Sequence, residues 1–323
     1  MPHHVYAVKH NNIQIRQASR SGGVFTALSD TILRNGGVVY GCKMKDPIHA
    51  VHSRAENSQE RDAFHGSKYI QSDLENSFSK IRFDLIQKKQ VLVSGTPCQI
   101  NALKKFLKVT NIDTERLFTI DIVCHGVPSP AIWRDYVQWN ENKAHEPVLS
   151  VDFRDKSYGW NTHLETLKYA SKKKTSDVYT RMFYGHNMLR PSCSTCPFAS
   201  MERISDITIA DFWGINEVFP DFDDNQGVSL VLINTERGEK LFYSSSESLD
   251  CRETTIEHCI QPPLEKPFPM PDTRNQFWTM YKCKTFHVMT HTYGGNNFRS
   301  KSEKKWRNLK LAVKEIVRSI KVV

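Results

Sequence analysis

Four cysteines in three short boxes are the residues of this chain best suited to chemistry. Cys98 lies in Gly95-Thr96-Pro97-Cys98-Gln99, and Cys124 opens Cys124-His125-Gly126-Val127-Pro128. Cys193 and Cys196 form Cys193-Ser194-Thr195-Cys196-Pro197. Glycine, proline and small polar residues surround each thiol, as they do where backbone bends around a compact group. Four thiolates satisfy a 4Fe–4S cluster, and Cys-x-x-Cys followed by proline recurs in ferredoxin-type sites. Four thiolates also satisfy a structural zinc, although zinc ribbons use two Cys-x-x-Cys knuckles and this chain has one. Cys42, Cys251, Cys259 and Cys283 have no ligand-like spacing and read as ordinary thiols.

The surrounding pattern says how these thiols are carried. The run Gln90-Val91-Leu92-Val93-Ser94 reads as a buried strand, residues 100–107 as a helix, and residues 117–123 as another strand. Ser129-Pro130 then caps a helix through Trp133, Tyr136 and Val137. Strand–loop–helix repeated twice implies α/β layering around a mixed, largely parallel sheet with flanking helices. Functional loops in such sheets gather at the carboxyl ends of the strands. Cys98 and Cys124 each follow a strand directly, so both are expected at one sheet edge. Upstream, strands are expected at residues 5–8, 38–42 and 49–53, and helices at 24–33 and 73–89. Downstream, strands are expected at 149–153, 163–169, 207–210 and 228–234, with an irregular connection over 260–272. The domain reading is 1–147 as an amino-terminal α/β part, 148–300 as the carboxy-terminal part carrying Cys-x-x-Cys, and 301–323 as a basic amphipathic helix.

The 323 residues suffice for a substantial core, with hydrophobic content of 39% and charged content of 24%. No apolar run reaches the ~18 residues of a membrane span, and the first twenty residues have no signal-peptide pattern. Cytoplasmic location and reduced thiols are therefore expected. Net charge is +9, and residues 301–323 hold eight Lys or Arg against two Glu. That concentration argues against a nucleic-acid surface over the body of the protein. The tail suits a peripheral contact with an anionic membrane, a partner, or its own domain.

Further boxes carry a family likeness. They are Ser21-Gly22-Gly23-Val24-Phe25, Gly37-Val38-Val39-Tyr40-Gly41 and Gly66-Ser67-Lys68-Tyr69-Ile70-Gln71-Ser72, then the boxes of Cys98 and Cys124. Phe153-Arg154-Asp155-Lys156 with Gly159-Trp160, Arg190-Pro191-Ser192-Cys193, and residues 206–214 follow in the same order. Over roughly residues 5–240 the chain resembles the coenzyme F-420 hydrogenase/dehydrogenase beta-subunit family of iron–sulfur flavoproteins. The resemblance implies an oxidoreductase core with FAD and one 4Fe–4S cluster on Cys98, Cys124, Cys193 and Cys196. Many bacterial members carry an amino-terminal ferredoxin-like part that is not matched here. An external ferredoxin or another carrier is therefore the expected donor, and a small-molecule or glycan-related compound the expected substrate. The alternative from another class is a metal-stabilised, non-redox protein supporting surface-polysaccharide biosynthesis.

Other site residues follow from this. Ser21-Gly22-Gly23 before a helix offers amides and a dipole to a pyrophosphate; from the residues alone a helix-capping turn is the commoner case, and the resemblance to a flavoprotein is what favours a cofactor role. Ser67 and Lys68 would add a hydroxyl and a cation to the same phosphates, although Lys68 reads equally as a solvated surface charge. His125 is the candidate catalytic residue, placed to tune the cluster or move protons; a histidine bonded inside a tight turn is the competing reading. Arg154 and Lys156, with Trp160, suit an anionic substrate or a flavin, and read as well as a solvated charged loop; Asp211-Phe212-Trp213-Gly214 suits a loop beside a cofactor. The odd spacing of Asp206 and Asp211 speaks against a carboxylate pair.

Overall fold

The structure, a computed structural model, describes residues 1–296; the expected basic helix at 301–323 lies outside the described residues. Its strands are β1 (His4–His10), β2 (Val38–Met44), β3 (Ala50–Ala55), β4 (Ser72–Asp73), β5 (Val91–Gly95) and β6 (Leu117–Ile122). They continue with β7 (Ser150–Asp152), β8 (Glu165–Lys168), β9 (Lys173–Ser176), β10 (Ile207–Asp211), β11 (Ser229–Ile233) and β12 (Leu249–Thr254). Nine of them form one sheet in the order β12-β1-β11-β10-β6-β5-β2-β3-β4. The run β10-β6-β5-β2 is parallel throughout. Antiparallel pairs extend it on both sides. The fold is thus the expected α/β arrangement, a mixed sheet with a parallel centre. Strands from both halves of the chain share it, because β10, β11 and β12 join β1–β6.

Alternating side chains bury both sheet faces. Val39, Leu92 and Ile120 pack with Leu28 and Ile32 of the Val24–Arg34 helix and with Leu241 and Phe242 of the Glu236–Ser244 helix. Val38, Tyr40, Val91 and Val93 pack with Ile81 and Leu85 of the Ser77–Ile86 helix and with Ile100, Leu103 and Leu107 of the Pro97–Val109 helix. Period-two alternation sends neighbours to opposite faces, and each face receives its own helices. Strands β7, β8 and β9 form a separate antiparallel sheet. It packs with the Pro130–Ala144, Val178–Tyr184 and Arg274–Cys283 helices around Trp133, Tyr136, Tyr179, Phe183 and Phe277.

Several expectations need correction. The helix expected over 73–89 spans only Ser77–Ile86, and Asp73 instead pairs as β4 with β3. The irregular stretch 260–272 contains a helical turn at Pro262–Glu265, where two prolines at the start preset the backbone. Strand β12 and the short Ile13–Ala18 helix have no counterpart in the sequence pattern. Both are too polar to show a period, and their neighbours decide them: β12 completes the edge of β1. Among the described residues no helix is long and apolar enough to cross a membrane.

Candidate functional site

β5 and β6 run parallel in register, with Gly95 opposite Asp121, so the segments after them leave the same edge together. After β5 the chain enters a helix at once: Thr96 is its cap, Pro97 its first residue and Cys98 lies in its first turn. The Gln99 side chain returns to accept the Thr96 N–H at 3.0 Å, and Thr96 Oγ1 lies 3.1 Å from Cys98 Sγ. Cys98 is exposed.

The loop after β6 brings in the other two cysteines. Arg190 N–H donates to Val127 O at 2.9 Å and Ser129 N–H to Met188 O at 3.0 Å, around a bridge between Pro128 and Leu189. This pairing sets Cys193, in the 3-10 turn Pro191–Thr195, beside Cys124. Gly126 is required there. Its φ is +128°, and a Cβ would stand 2.9 Å from Leu189 Cδ1 and 3.5 Å from Cys193 Cβ. The Gly126 N–H serves the Cys124 sulfur and the Val127 N–H the Cys193 sulfur. Cys124 also feels Cys98, Cys193 and Cys196 as nearby like charges, so all four expected thiols converge. Burial, with those neighbours, pushes the Cys124 thiol up to about 12 and raises Cys193 as well.

A buried ion pair holds the two cysteine-bearing segments together. Asp121, on β6, is fully buried, and Arg203 Nη2 lies 3.0 Å from its Oδ1. The same guanidinium donates through Nη1 to Phe198 O at 3.0 Å and Ser200 O at 3.2 Å. It also donates through Nε to Thr208 Oγ1 at 3.2 Å. Arg203 thereby fastens the turn after Cys196 to the strand that ends before Cys124.

Among the described residues no three His, Cys, Asp or Glu side chains form a group that could hold a metal ion as they stand. A 4Fe–4S cluster spreads its thiolates over a larger tetrahedron than zinc does. Four cysteine thiols, with backbone amides turned to the sulfurs of Cys124 and Cys193, are a donor set of the kind such a cluster takes.

His125 sits against this site. Its Nε2 is 2.7 Å from His186 Nε2, and its ring lies 4.1 Å from Phe268 and 4.7 Å from Tyr184. Burial, reinforced by His186 and His163, pushes His125 down to about 3, and burial lowers His186 too. Both rings are therefore neutral at pH 7, one donating and the other accepting.

The Ser21–Gly23 loop and Lys68 bond to protein partners. Ser21 Oγ donates to Val228 O at 2.6 Å, and the Gly22 N–H donates to Ser229 Oγ at 2.9 Å. A Cβ on Gly22 would meet Val8 O at 2.1 Å, so this loop is sewn tightly to β1 and β11. Lys68 Nζ donates to the carbonyls of Phe64, His65 and Gly66 at 2.9, 2.7 and 3.0 Å. Burial lowers it to about 8. Ser67 is half-buried in the same turn. Lys156 Nζ similarly caps Arg16 O, Ser19 O and Ser21 O at 2.6, 3.1 and 3.3 Å.

Beside this loop lies a polar and aromatic cluster that spacing alone does not reveal. Arg20 Nη2 donates to Trp160 O at 2.6 Å and lies 3.3 Å from Asp211 Oδ2. Arg154 donates to Thr162 O at 2.8 Å and to the Tyr69 hydroxyl at 2.9 Å, and lies over Trp213. Trp213 stacks with Trp160 at 5.2 Å and with His163 at 5.6 Å. Arg20 Nε and Nη1 and Arg154 Nη2 are buried without a partner. Unspent donors against aromatic faces fit an anionic, ring-bearing group such as a flavin nucleotide. Arg154, Trp160 and residues 211–214 are legible as boxes; Arg20, immediately before Ser21, carries no signal beyond that adjacency. Asp206 is separate: it accepts from Thr119 at 2.8 and 2.7 Å and from Thr235 at 2.8 Å.

Fold and site together define an α/β protein with a four-thiol edge and an adjoining cationic, aromatic cluster. Residues 88–258 match the family model for the carboxy-terminal part of the coenzyme F420 hydrogenase/dehydrogenase beta subunit, and the chain belongs to that family. It is accordingly related to oxidoreductases of the hydrogenase/dehydrogenase kind. No curated protein matches the chain. Among the solved structures that match is a chain of the F420-reducing NiFe hydrogenase complex from Methanosarcina barkeri, studied by xenon derivatization. It is 16% identical, covers 78% of this chain and 82% of that chain, and has a TM-score of 0.55, a likeness of fold.

Proposed function

We propose that this protein is an iron–sulfur flavoprotein oxidoreductase passing electrons between a 4Fe–4S cluster, FAD and an external carrier or organic substrate. The observation that carries the reading is the convergence of Cys98, Cys124, Cys193 and Cys196 at the edge where β5 and β6 end. A cluster supplies one-electron transfer, and a flavin couples single electrons to hydride-type chemistry. The chain's own residues bind and orient. Cysteine ligates as thiolate, so the four thiols would lose their protons on ligation. The Gly126 and Val127 amides face the sulfurs of Cys124 and Cys193. Neutral His125, bonded to His186 and covered by Phe268, keeps water from that side and can hold a proton on either ring nitrogen. Arg20 and Arg154 present donors, and Trp213 a ring face, for the flavin nucleotide. Ser21, Gly22, Gly23, Ser67 and Lys68 act in this reading by holding the adjoining loops. The matching hydrogenase chain comes from a complex, which supports a protein partner; we propose that this partner is an electron carrier, ferredoxin or another, met in a cytoplasmic setting that keeps thiols reduced.

Anaerobic purification tests the reading. Iron and acid-labile sulfide at about four per chain, with flavin released on denaturation, are expected. A colourless protein with stoichiometric zinc would overturn it and favour the metal-stabilised, non-redox role in polysaccharide biosynthesis.

A further inference from the structure

The structure assigns Arg20 and Arg154 as a paired oxyanion-binding site, taking a phosphate or carboxylate between them beside Trp213. Unspent donors are the first sign. Arg154 is 4% exposed and the Arg20 side chain 10%, yet Arg154 Nη2 and Arg20 Nε and Nη1 have no partner. A buried donor left unmade costs about 1–3 kcal/mol, and more when it belongs to a charged group. Two such guanidiniums facing one region are costly unless something acceptor-rich enters it.

The two arginines share that region although 134 residues of sequence separate them (154 − 20). Arg20 Nη2 bonds Trp160 O, Trp160 stacks on Trp213, and Arg154 lies 5.6 Å from the Trp213 ring. Tyr69 joins them, accepting from Arg154 Nη1 while feeling the charges of Arg20 and Asp211. The bonds made there leave positive charge over. Arg154 donates to two neutral oxygens, Thr162 O and the Tyr69 hydroxyl, and nearby Lys156 donates to carbonyls. Of the carboxylates there, Asp211 pairs with Arg20, and Asp152 accepts the Arg154 backbone N–H at 3.0 Å and feels the Arg20 charge. Trp213, His163 and Tyr184 are half-buried, which leaves the rim open to a ligand. Guanidinium forks suit the two oxygens of a carboxylate or phosphate.

The oxyanion has two sources: the diphosphate of a flavin nucleotide, or an anionic substrate. The inference rests on the flavin reading only for the first. The test uses the full chain with FAD, riboflavin and inorganic phosphate as probes. Flavin binding is followed by fluorescence quenching and phosphate binding by thermal shift, for wild type, Arg20→Gln, Arg154→Gln and the two Arg→Lys variants. FAD binding weakened tenfold or more in both Gln variants, with riboflavin unchanged and Lys restoring part of the loss, assigns the pair to the flavin phosphates. FAD binding alike in all proteins, or absent from all, with phosphate raising the melting temperature only where both arginines remain, assigns it to an anionic substrate; absence from all would fail the flavin reading while sustaining this one. If folded Gln variants match wild type towards every probe, water satisfies the guanidiniums and the assignment is wrong. Should a Gln variant not fold, its Lys counterpart decides by the same two readouts.

Discussion

The two ends of the β6–β10 strand pair differ in a way that cavity size obscures. At the amino end of β6 lies a cleft of about 1090 Å³, lined by Lys104, Lys108, Thr119, Asp206, Arg237 and Lys240 among others. At the carboxyl end the recess beside Cys193 and His125 holds only about 10 Å³. Volume points to the first end and chemistry to the second. In the large cleft the key polar groups already serve the fold. Asp206 binds Thr119 and Thr235, and Arg237 Nη1 is spent on Thr114 O and Leu117 O at 2.6 Å each. At the other edge four thiols converge without bonding one another. Unspent ligating capacity, rather than empty space, is the mark of the site.

The hardest test of this contrast removes a thiol. Cys98→Ala and Cys196→Ala should each abolish cluster assembly, with iron falling from about four per chain to near zero. Full iron in either variant would break the ligand assignment.

Next is the clamp between segments. Arg203→Met leaves Asp121 buried and unpaired, and should destabilise the fold by about 3–5 kcal/mol in chemical denaturation. In molecules still folded, iron release to a chelator should be about tenfold faster. Unchanged release would mean that Arg203 supports the sheet and not the thiols.

Glu165, away from both ends, measures what burial alone does. It accepts from the Tyr136 hydroxyl, Thr180 Oγ1 and the Tyr179 amide at 2.8, 2.8 and 3.1 Å, yet burial raises it to about 7. A carboxyl raised in the folded state contributes stability that is full below its ordinary value of 4.5 and lost as pH climbs through about 7. Across that window wild type should lose about 3 kcal/mol, and Glu165→Gln should flatten the slope of denaturation midpoint against pH. An unchanged slope would put the titration elsewhere.

The smallest effect is expected in the large cleft. Lys108→Ala and Lys240→Ala should alter stability by no more than about 0.5 kcal/mol and leave iron content unchanged. A loss of iron in either would reverse the contrast between the two ends.

Much of the central sheet is legible because its strands are apolar runs ended by glycine or proline. Val91–Gly95 and Leu117–Ile122 stand where the pattern places them, and so do Cys98 and Cys124. The short, polar elements are not legible: β12, with Asp250, Arg252 and Glu253 among its six residues, becomes a strand only because β1 offers it an edge.

Local pattern suffices for the α/β class, the parallel centre and the edge from which Cys98 and Cys124 emerge. Those follow from periodicity and from the rule that loops gather where parallel strands end. Long-range contacts are needed to bring Cys193 to that edge, through Val127 and Arg190, and to hold the join with Arg203. They are also what turn Ser21 and Gly22 to protein partners while Arg20 and Arg154 keep donors free. Hydrogen-bond satisfaction is a property of neighbours distant in the chain, and no spacing rule records it.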